Sequence, residues 1–115
     1  MTVTIYHNPR CSKSRQTLDL LRGEGIEPTI IEYLQTPPDA ATLGGILDKL
    51  DIEPRDLMRR KEAPYKELGL DDAGKSRDDL IAAMVANPIL IERPIVLSQD
   101  QARVGRPPEQ VLEIV

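Results

Sequence analysis

The first third of the chain alternates between strand and helix patterns, and this alternation constrains the fold more than any other feature. Residues 3–6 alternate apolar and polar side chains and are mostly β-branched, which predicts a strand. Apolar residues recur at helical spacing over 12–23, and Gly23 and Gly25 supply a stop signal. Residues 28–33 are again rich in β-branched side chains and predict a second, buried strand. A strand–helix–strand unit makes its two strands parallel, with a right-handed crossover.

The middle of the chain predicts helices. Asp39 offers an N-cap, and apolar residues at helical spacing follow it. Prolines in the first turn of a helix are well tolerated, so Pro54 permits another start. The expected helices cover 39–50, 54–60 and 76–86, with a loop around Pro64-Tyr65 between the last two. We therefore expect a helical insertion over about 37–86.

The last third of the chain returns to strands. Residues 94–98 form a compact β segment, and 101–104 supply a partner strand after a turn. A short helix is expected over 107–114, where prolines permit a start. This order predicts an α/β fold, a mixed sheet of about four strands with helices on its faces, which is the plan of a thioredoxin-like domain. The length of 115 residues fits a single domain over 1–115.

Cys11 lies where the first predicted strand gives way to the first predicted helix, and it is the only cysteine. A lone cysteine is most often a small buried residue, but Arg10 and Lys13 beside it argue against a core position. The first N–H groups of a helix have no internal partners, so they favour a thiolate and an anion there. The hydroxyl of Ser14, one turn later, can reach back to the sulfur. An internal disulfide is impossible, so a redox cycle requires an external thiol.

Composition excludes several classes of function. The chain is 40% hydrophobic and 30% charged, as in ordinary globular proteins. A net charge of −4, three Tyr and no Phe or Trp argue against nucleic-acid binding. No apolar run approaches the roughly 18 residues of a membrane helix, and the N-terminus lacks the pattern of a signal peptide. We expect a cytoplasmic protein with no membrane partner. One His and one Cys offer no metal site.

The arginines form a second group of candidate residues. Most arginines of most proteins are solvated surface charges. Arg93, however, stands between two apolar segments, and Arg106 directly precedes Pro107-Pro108. Residues at strand ends in this topology face the same edge as the loop that holds Cys11. A guanidinium at that edge suits a tetrahedral oxyanion because its planar donors are permanently charged.

Motifs along nearly the whole chain carry a family resemblance. They are His7-Asn8-Pro9-x-Cys11-x-x-Ser14-Arg15, Glu27-Pro28, Arg59, Pro64-Tyr65, the run over residues 87–96, and Arg103-x-x-Arg106-Pro107. Together they resemble the glutaredoxin-coupled arsenate reductase family, the ArsC type. That family has a thioredoxin-like fold with a helical insertion.

The resemblance implies the main site residues. It implies Cys11 as the nucleophile and three oxyanion-binding arginines, which are Arg59, Arg93 and Arg106. Arg60 adjoins Arg59, and the sequence leaves open which of the two is the middle arginine. Gly105 departs mildly from the family pattern, at a position before Arg106 where bulkier residues are tolerated.

Four further residues match the family as supporting residues. His7 corresponds to a histidine near the thiolate. Two roles remain open for it, electrostatic support of the thiolate or that of a hydrogen-bonded loop residue. Ser14 and Arg15 match as local support for the thiolate. Pro94 falls where thioredoxin-like folds place a cis proline beside the active cysteine, so we predict a cis Arg93–Pro94 bond.

The resemblance implies that arsenate is reduced to arsenite through the Cys11 thiolate and a mixed disulfide with glutathione. Glutathione is then a co-substrate, glutaredoxin resolves the disulfide, no cofactor is bound, and we expect a monomer. One alternative is a general glutathione-dependent thiol oxidoreductase of the same fold. Another is a non-enzymatic transcriptional regulator that binds RNA polymerase; such relatives typically carry Cys-x-x-Cys, where this chain has Ser14. Whether arsenate is the physiological substrate is left open.

Overall fold

The structure is a computed structural model that describes residues 2–115. The chain divides into two compact units, of which one comprises the chain up to Thr36 together with Arg93–Val115. The other unit, Pro37–Glu92, comes between them in the sequence. None of the helices within residues 2–115 is long and apolar enough to cross a membrane.

The first unit is built on a four-stranded mixed sheet. Its strands are β1 (Val3–His7), β2 (Thr29–Glu32), β3 (Ile95–Ser98) and β4 (Gln101–Val104). Their spatial order is β2-β1-β3-β4, with β1 and β2 parallel and the other two pairings antiparallel. Helix α1 (Ser12–Gly23) connects β1 to β2, and a 3₁₀ helix over Pro108–Glu113 follows β4. The predicted α/β class, the parallel first pair and the mixed sheet are confirmed.

One face of this sheet is buried by helices. Residues i and i+2 of a strand share one face, and residues i and i+3 of a helix share one face. Val3 and Ile5 of β1 therefore pack against Leu18 and Leu21 of α1. Residues of β3 and of the C-terminal segment complete the cluster, which consists of Val3, Ile5, Leu18, Leu21, Val96, Val111 and Ile114. Gly25, at φ +78°, supports the predicted stop of α1, since few other residues adopt that conformation without strain.

Strand β2 differs from its prediction. It is an edge strand, and Thr29, Ile30 and Glu32 are exposed while Ile31 is half-buried. The expectation of a buried strand was therefore wrong. Its β-branched residues reflect a preference for extended backbone, which does not by itself decide burial.

The second unit is helical, as expected. It contains α2 (Ala40–Leu50), α3 (Ala63–Glu67), α4 (Arg77–Ala86) and 3₁₀ helices over Pro54–Leu57 and Pro88–Leu90. The helix predicted over 54–60 is thus a shorter 3₁₀ turn, and α3 was expected to be a loop. Asp39 caps α2 by accepting from the Thr42 N–H at 2.8 Å, and Ser76 and Asp79 form a capping box on α4.

Strand register in the first unit decides which loops meet. Ile95, the first residue of β3, lies opposite Tyr6 on β1 and opposite Val104 on β4. The C-terminal end of β1, the N-terminal end of β3 and the C-terminal end of β4 therefore lie side by side, at the same end of the sheet. The segments next to these three strand ends contain Cys11, Arg93 and Arg106.

Candidate active site

Cys11 is the N-cap residue of α1. Its backbone is extended, at φ −94° and ψ 123°, and its N–H donates to the Asn8 carbonyl at 3.0 Å. The Asn8 side chain also accepts from the Arg10 N–H at 3.0 Å. Asn8 therefore shapes the loop that presents the cysteine, a role that the sequence analysis did not assign. The preference of Asn for turns that bond its own neighbouring backbone was the available signal.

The surroundings of Cys11 favour its thiolate. Burial is the largest single influence and raises the pKa of the thiol, since only 9% of the residue surface is exposed. The backbone N–H groups of Ser14 and Lys13 and the charges of Arg93 and Arg106 act in the opposite direction and prevail. The pKa of Cys11 consequently lies below its ordinary value, as for other cysteines at helix N-termini beside cations.

Arg106 contacts the sulfur directly. Its Nη2 lies 3.7 Å from Cys11 Sγ, and its Nε donates to the Arg93 carbonyl at 2.9 Å. This second bond fixes the guanidinium and ties the segment after β4 to the segment before β3. The first unit thus brings together two of the three predicted arginines and the predicted nucleophile.

Ser14 is engaged differently from its prediction. Its hydroxyl lies 2.6 Å from His7 Nδ1 and accepts from the Asn8 N–H at 3.0 Å. The Ser14 backbone N–H, rather than its hydroxyl, hydrogen-bonds to Cys11. The prediction of a hydroxyl–sulfur contact was wrong because the N–H groups of the first turn face the N-cap while this side chain faces β1.

His7 is 6% exposed at the end of β1. Burial lowers the pKa of His7, and Arg22 and Arg15 lower it further, while Glu32 raises it in part. The imidazole is therefore mainly neutral near pH 7 and brings little positive charge to the thiolate. The geometry favours the hydrogen-bonding role over the electrostatic one, although His7 is the last residue of β1 and not part of a loop.

Arg15 and Pro94 were the other two residues expected to support the cysteine. The exposed Arg15 donates from Nη1 to the Pro9 carbonyl at 2.9 Å, and its N–H donates to the Cys11 carbonyl at 3.0 Å. Pro94 is buried, and the predicted cis Arg93–Pro94 bond is confirmed. A second cis bond, Arg106–Pro107, was not predicted.

Gly105 lies in a close approach that the sequence analysis missed. A Cβ atom there would stand 2.6 Å from Thr17 Oγ1 and 2.8 Å from Pro94 Cγ, and the Gly105 N–H donates to the Pro94 carbonyl at 2.9 Å. The expectation that this position tolerates bulkier residues does not hold for this backbone. Thr17 is fully buried and bonds the Lys13 carbonyl at 2.8 Å, so it cannot move aside without cost.

Arg59 and Arg60 lie in the helical unit and have different partners. The Arg59 N–H donates to the Leu90 carbonyl at 2.7 Å, and its side chain pairs with Glu62 at 3.5 Å. Arg60 donates from Nε and Nη2 to the Arg55 carbonyl, at 3.2 and 3.1 Å, and lies 3.7 Å from an Asp56 oxygen. The Arg60 guanidinium therefore binds to the 3₁₀ helix over Pro54–Leu57.

The donor chemistry of the site offers nothing to a metal ion. Within residues 2–115, no three His, Cys, Asp or Glu side chains form a group that could hold one. What the site does hold is a thiolate-favouring sulfur, backbone N–H donors at the start of α1 and guanidinium groups. Such a set binds a tetrahedral oxyanion and attacks it with sulfur.

The fold and this site define a family, and the chain belongs to it. The family model described as the ArsC family matches residues 6–114. The resemblance deduced from the sequence motifs is thereby confirmed.

Individual relatives agree with this assignment. The chain is 60% identical over 114 residues to the uncharacterized protein YfgD of Escherichia coli strain K12, covering 98% of this chain and 96% of that one. It is 50% identical over 116 residues to an arsenate reductase of Haemophilus influenzae, covering all of both chains. A solved structure of an arsenate reductase from Vibrio cholerae matches with a TM-score of 0.97 at 56% identity, covering 100% of this chain and 98% of the other.

Proposed function

We propose that this protein is an arsenate reductase that uses glutathione and glutaredoxin. The observation that carries the proposal is the 3.7 Å contact between Arg106 Nη2 and Cys11 Sγ, which joins residues 95 positions apart. A guanidinium held beside a low-pKa sulfur provides both a binding group for an oxyanion and a nucleophile to attack it. Arsenate reductases among the relatives at about half identity support arsenate as that oxyanion.

In the first chemical step, arsenate binds at the N-terminus of α1 with Arg93 and Arg106 as its cationic ligands. The Cys11 thiolate attacks arsenic, an S–As bond forms, and an As–O bond breaks; the departing oxygen takes up protons from arsenate or solvent and leaves as water. The low pKa of Cys11 favours this step because the thiolate is the attacking species.

Glutathione supplies the second thiol, because Cys11 is the only cysteine of the chain. Its sulfur forms a disulfide with Cys11 while the S–As bond breaks and leaves its electron pair on arsenic. Two thiols are thereby oxidised to one disulfide, As(V) is reduced to As(III), and arsenite leaves. Glutaredoxin then exchanges the mixed disulfide and restores the Cys11 thiol.

Arg59 is our choice for the third anion-binding arginine. Its neighbour Arg60 donates from two nitrogens to the Arg55 carbonyl and lies beside Asp56, whereas the Arg59 side chain is held by an ion pair with Glu62. The two single variants R59A and R60A separate the assignments, since the KM for arsenate should rise strongly in R59A and little in R60A.

The remaining properties follow from the chemistry. We propose that the chain acts as a single domain, with its helical unit as an insertion, and that it works as a monomer. A glutathione-coupled cycle needs a reducing compartment, which favours the cytoplasm. It needs no bound cofactor.

The test is arsenate-dependent turnover with glutathione, glutaredoxin and a disulfide reductase system. The native protein should turn over, the Cys11→Ser variant should not, and Ser12→Ala, which changes an exposed neighbouring hydroxyl, should retain activity. Absence of arsenate-dependent turnover in the native protein would refute the proposal. Turnover of glutathione mixed disulfides without any effect of arsenate would instead favour a general thiol oxidoreductase.

A further inference from the structure

Charge is distributed very unevenly along the chain. The protein has 15 Lys and Arg residues and 19 Asp and Glu residues, yet its first 18 positions contain three of the former and none of the latter. The three are Arg10, Lys13 and Arg15, and they flank Cys11. In a chain of net charge −4, the cysteine loop is thus a local cationic surface, which we call the basic rim.

The charges of the basic rim are not neutralised within the protein. All three residues are exposed, and within residues 2–115 none of them is in an ion pair. Arginines elsewhere show the contrast, because each of five is paired with a carboxylate: Arg22, Arg59, Arg60, Arg77 and Arg103. Cationic side chains without a carboxylate partner, placed around a reactive sulfur, attract an anionic molecule and steer its approach.

The backbone of the loop places these three residues beside Cys11 in the chain. The Lys13 N–H is among the groups that hydrogen-bond to Cys11, and Arg15 is tied to the Pro9 carbonyl at 2.9 Å. Arg10 directly precedes the cysteine. A molecule that brings its own sulfur to Cys11 therefore meets a loop with three exposed cations.

We propose that the basic rim binds the carboxylates of glutathione and so selects the thiol co-substrate. This inference rests on the proposed function and adds a binding site to it. Glutathione carries two carboxylates at the ends of a peptide-sized molecule, with its thiol between them, so it can reach cations on both sides of Cys11. Arsenate is far smaller, and Arg93 and Arg106 are the guanidinium groups whose charges already act on the sulfur.

Oxidised glutathione tests the rim without arsenate. The Cys11 thiolate attacks this disulfide, forms a Cys11–glutathione disulfide and releases one glutathione thiolate. The neutral disulfide of 2-mercaptoethanol reacts in the same way but offers no carboxylate. The ratio of the two rates isolates charge recognition, because any change in thiolate fraction or folding alters both rates together.

The variant replaces Arg10, Lys13 and Arg15 with glutamine. The ratio of its rate with oxidised glutathione to its rate with the neutral disulfide should be about 10-fold lower than in the native protein. In the native protein, added salt should lower this ratio to the value of the variant. The control is Arg22→Gln, which removes an exposed cation from the last turn of α1, and its rate ratio should match the native one. Equal slowing with both disulfides, or no slowing, would overturn the proposal.

Steady-state kinetics separate this inference from the proposed function. In arsenate turnover, the triple variant should show a raised KM for glutathione and little change in the KM for arsenate. A native protein that discriminates between the disulfides but does not reduce arsenate would contradict the function while leaving the rim in place. A defect confined to the reaction with glutaredoxin would assign the rim to a protein partner and overturn the glutathione site.

Discussion

Arg106 acts on Cys11 in two ways, through a direct contact with the sulfur and, together with Arg93, through its charge. The guanidinium lies 3.7 Å from the sulfur and also acts on the pKa of the thiol, so it stabilises the thiolate before substrate binds. In the proposed mechanism the same group then binds the oxyanion. One residue thus connects nucleophile activation with substrate binding.

Replacing Arg106 should affect both properties. In Arg106→Ala the pKa of Cys11 should rise, and kcat/KM for arsenate should fall about 100-fold, as when a donor to a developing charge is lost. The pH dependence of Cys11 alkylation measures the first effect, and steady-state kinetics measure the second. An unchanged alkylation profile would show that Arg106 does not support the thiolate.

His7 makes folding stability depend on pH. Burial lowers its pKa in the folded protein, so the unfolded chain binds a proton more readily as the pH falls below the ordinary value of 6.5. The stabilising contribution is therefore present above about 6.5 and is lost as the pH falls through the lower, folded-state pKa. His7 is the only histidine, which makes the effect separable.

Urea unfolding of the native protein and of His7→Asn should reveal this contribution. Between about pH 7.5 and 5.5 the native protein should lose more stability than the variant, which lacks a group that titrates in that range. Parallel losses would assign the pH dependence to carboxylates and contradict the account of His7.

At the scale of elements, strands and long helices were predictable and their surroundings were not. The strand predicted over residues 101–104 has the same bounds as β4. The bounds predicted for α1 are also correct, because its helical periodicity ends where the glycine stop signal begins. Helix α3 was missed because five residues carry too little periodicity. The exposure of β2 depends on its place at the sheet edge, which no local pattern reports.

Gly105 links three elements, and its substitution tests how tightly they meet. A Cβ atom would collide with Thr17 on α1 and with Pro94 before β3, so Gly105→Ala should destabilise the protein by about 1–3 kcal/mol. Because Arg106 is the next residue, arsenate turnover should fall as well. Calorimetry and kinetics of the variant measure the two effects.

Gly45→Ala is the matched control. This glycine lies inside α2, and a Cβ atom there would meet nothing within 4 Å. Alanine should stabilise the protein by roughly 0.5–1 kcal/mol because glycine is a poor helix former. Equal effects of the two substitutions would show that the close approach at Gly105 is not a constraint.

At the scale of the whole molecule, the sheet topology creates the site. Sequence patterns could predict that strand ends share an edge, and hence that Arg93 and Arg106 lie near the cysteine loop. They could not predict the partners of Ser14, the use of Asn8 or the space around Gly105. Those depend on atomic contacts between segments that are distant in the sequence, whereas propensities report only on neighbours.

The central claim is that arsenate drives formation of a disulfide between Cys11 and glutathione. A single-turnover reaction tests it most directly: native protein, arsenate and glutathione, without glutaredoxin, followed by mass spectrometry and arsenite determination. We expect one glutathione on Cys11 and one arsenite released per protein molecule, and neither product should form in Cys11→Ser. Glutathione addition that proceeds equally without arsenate, or arsenite release without addition to Cys11, would contradict it.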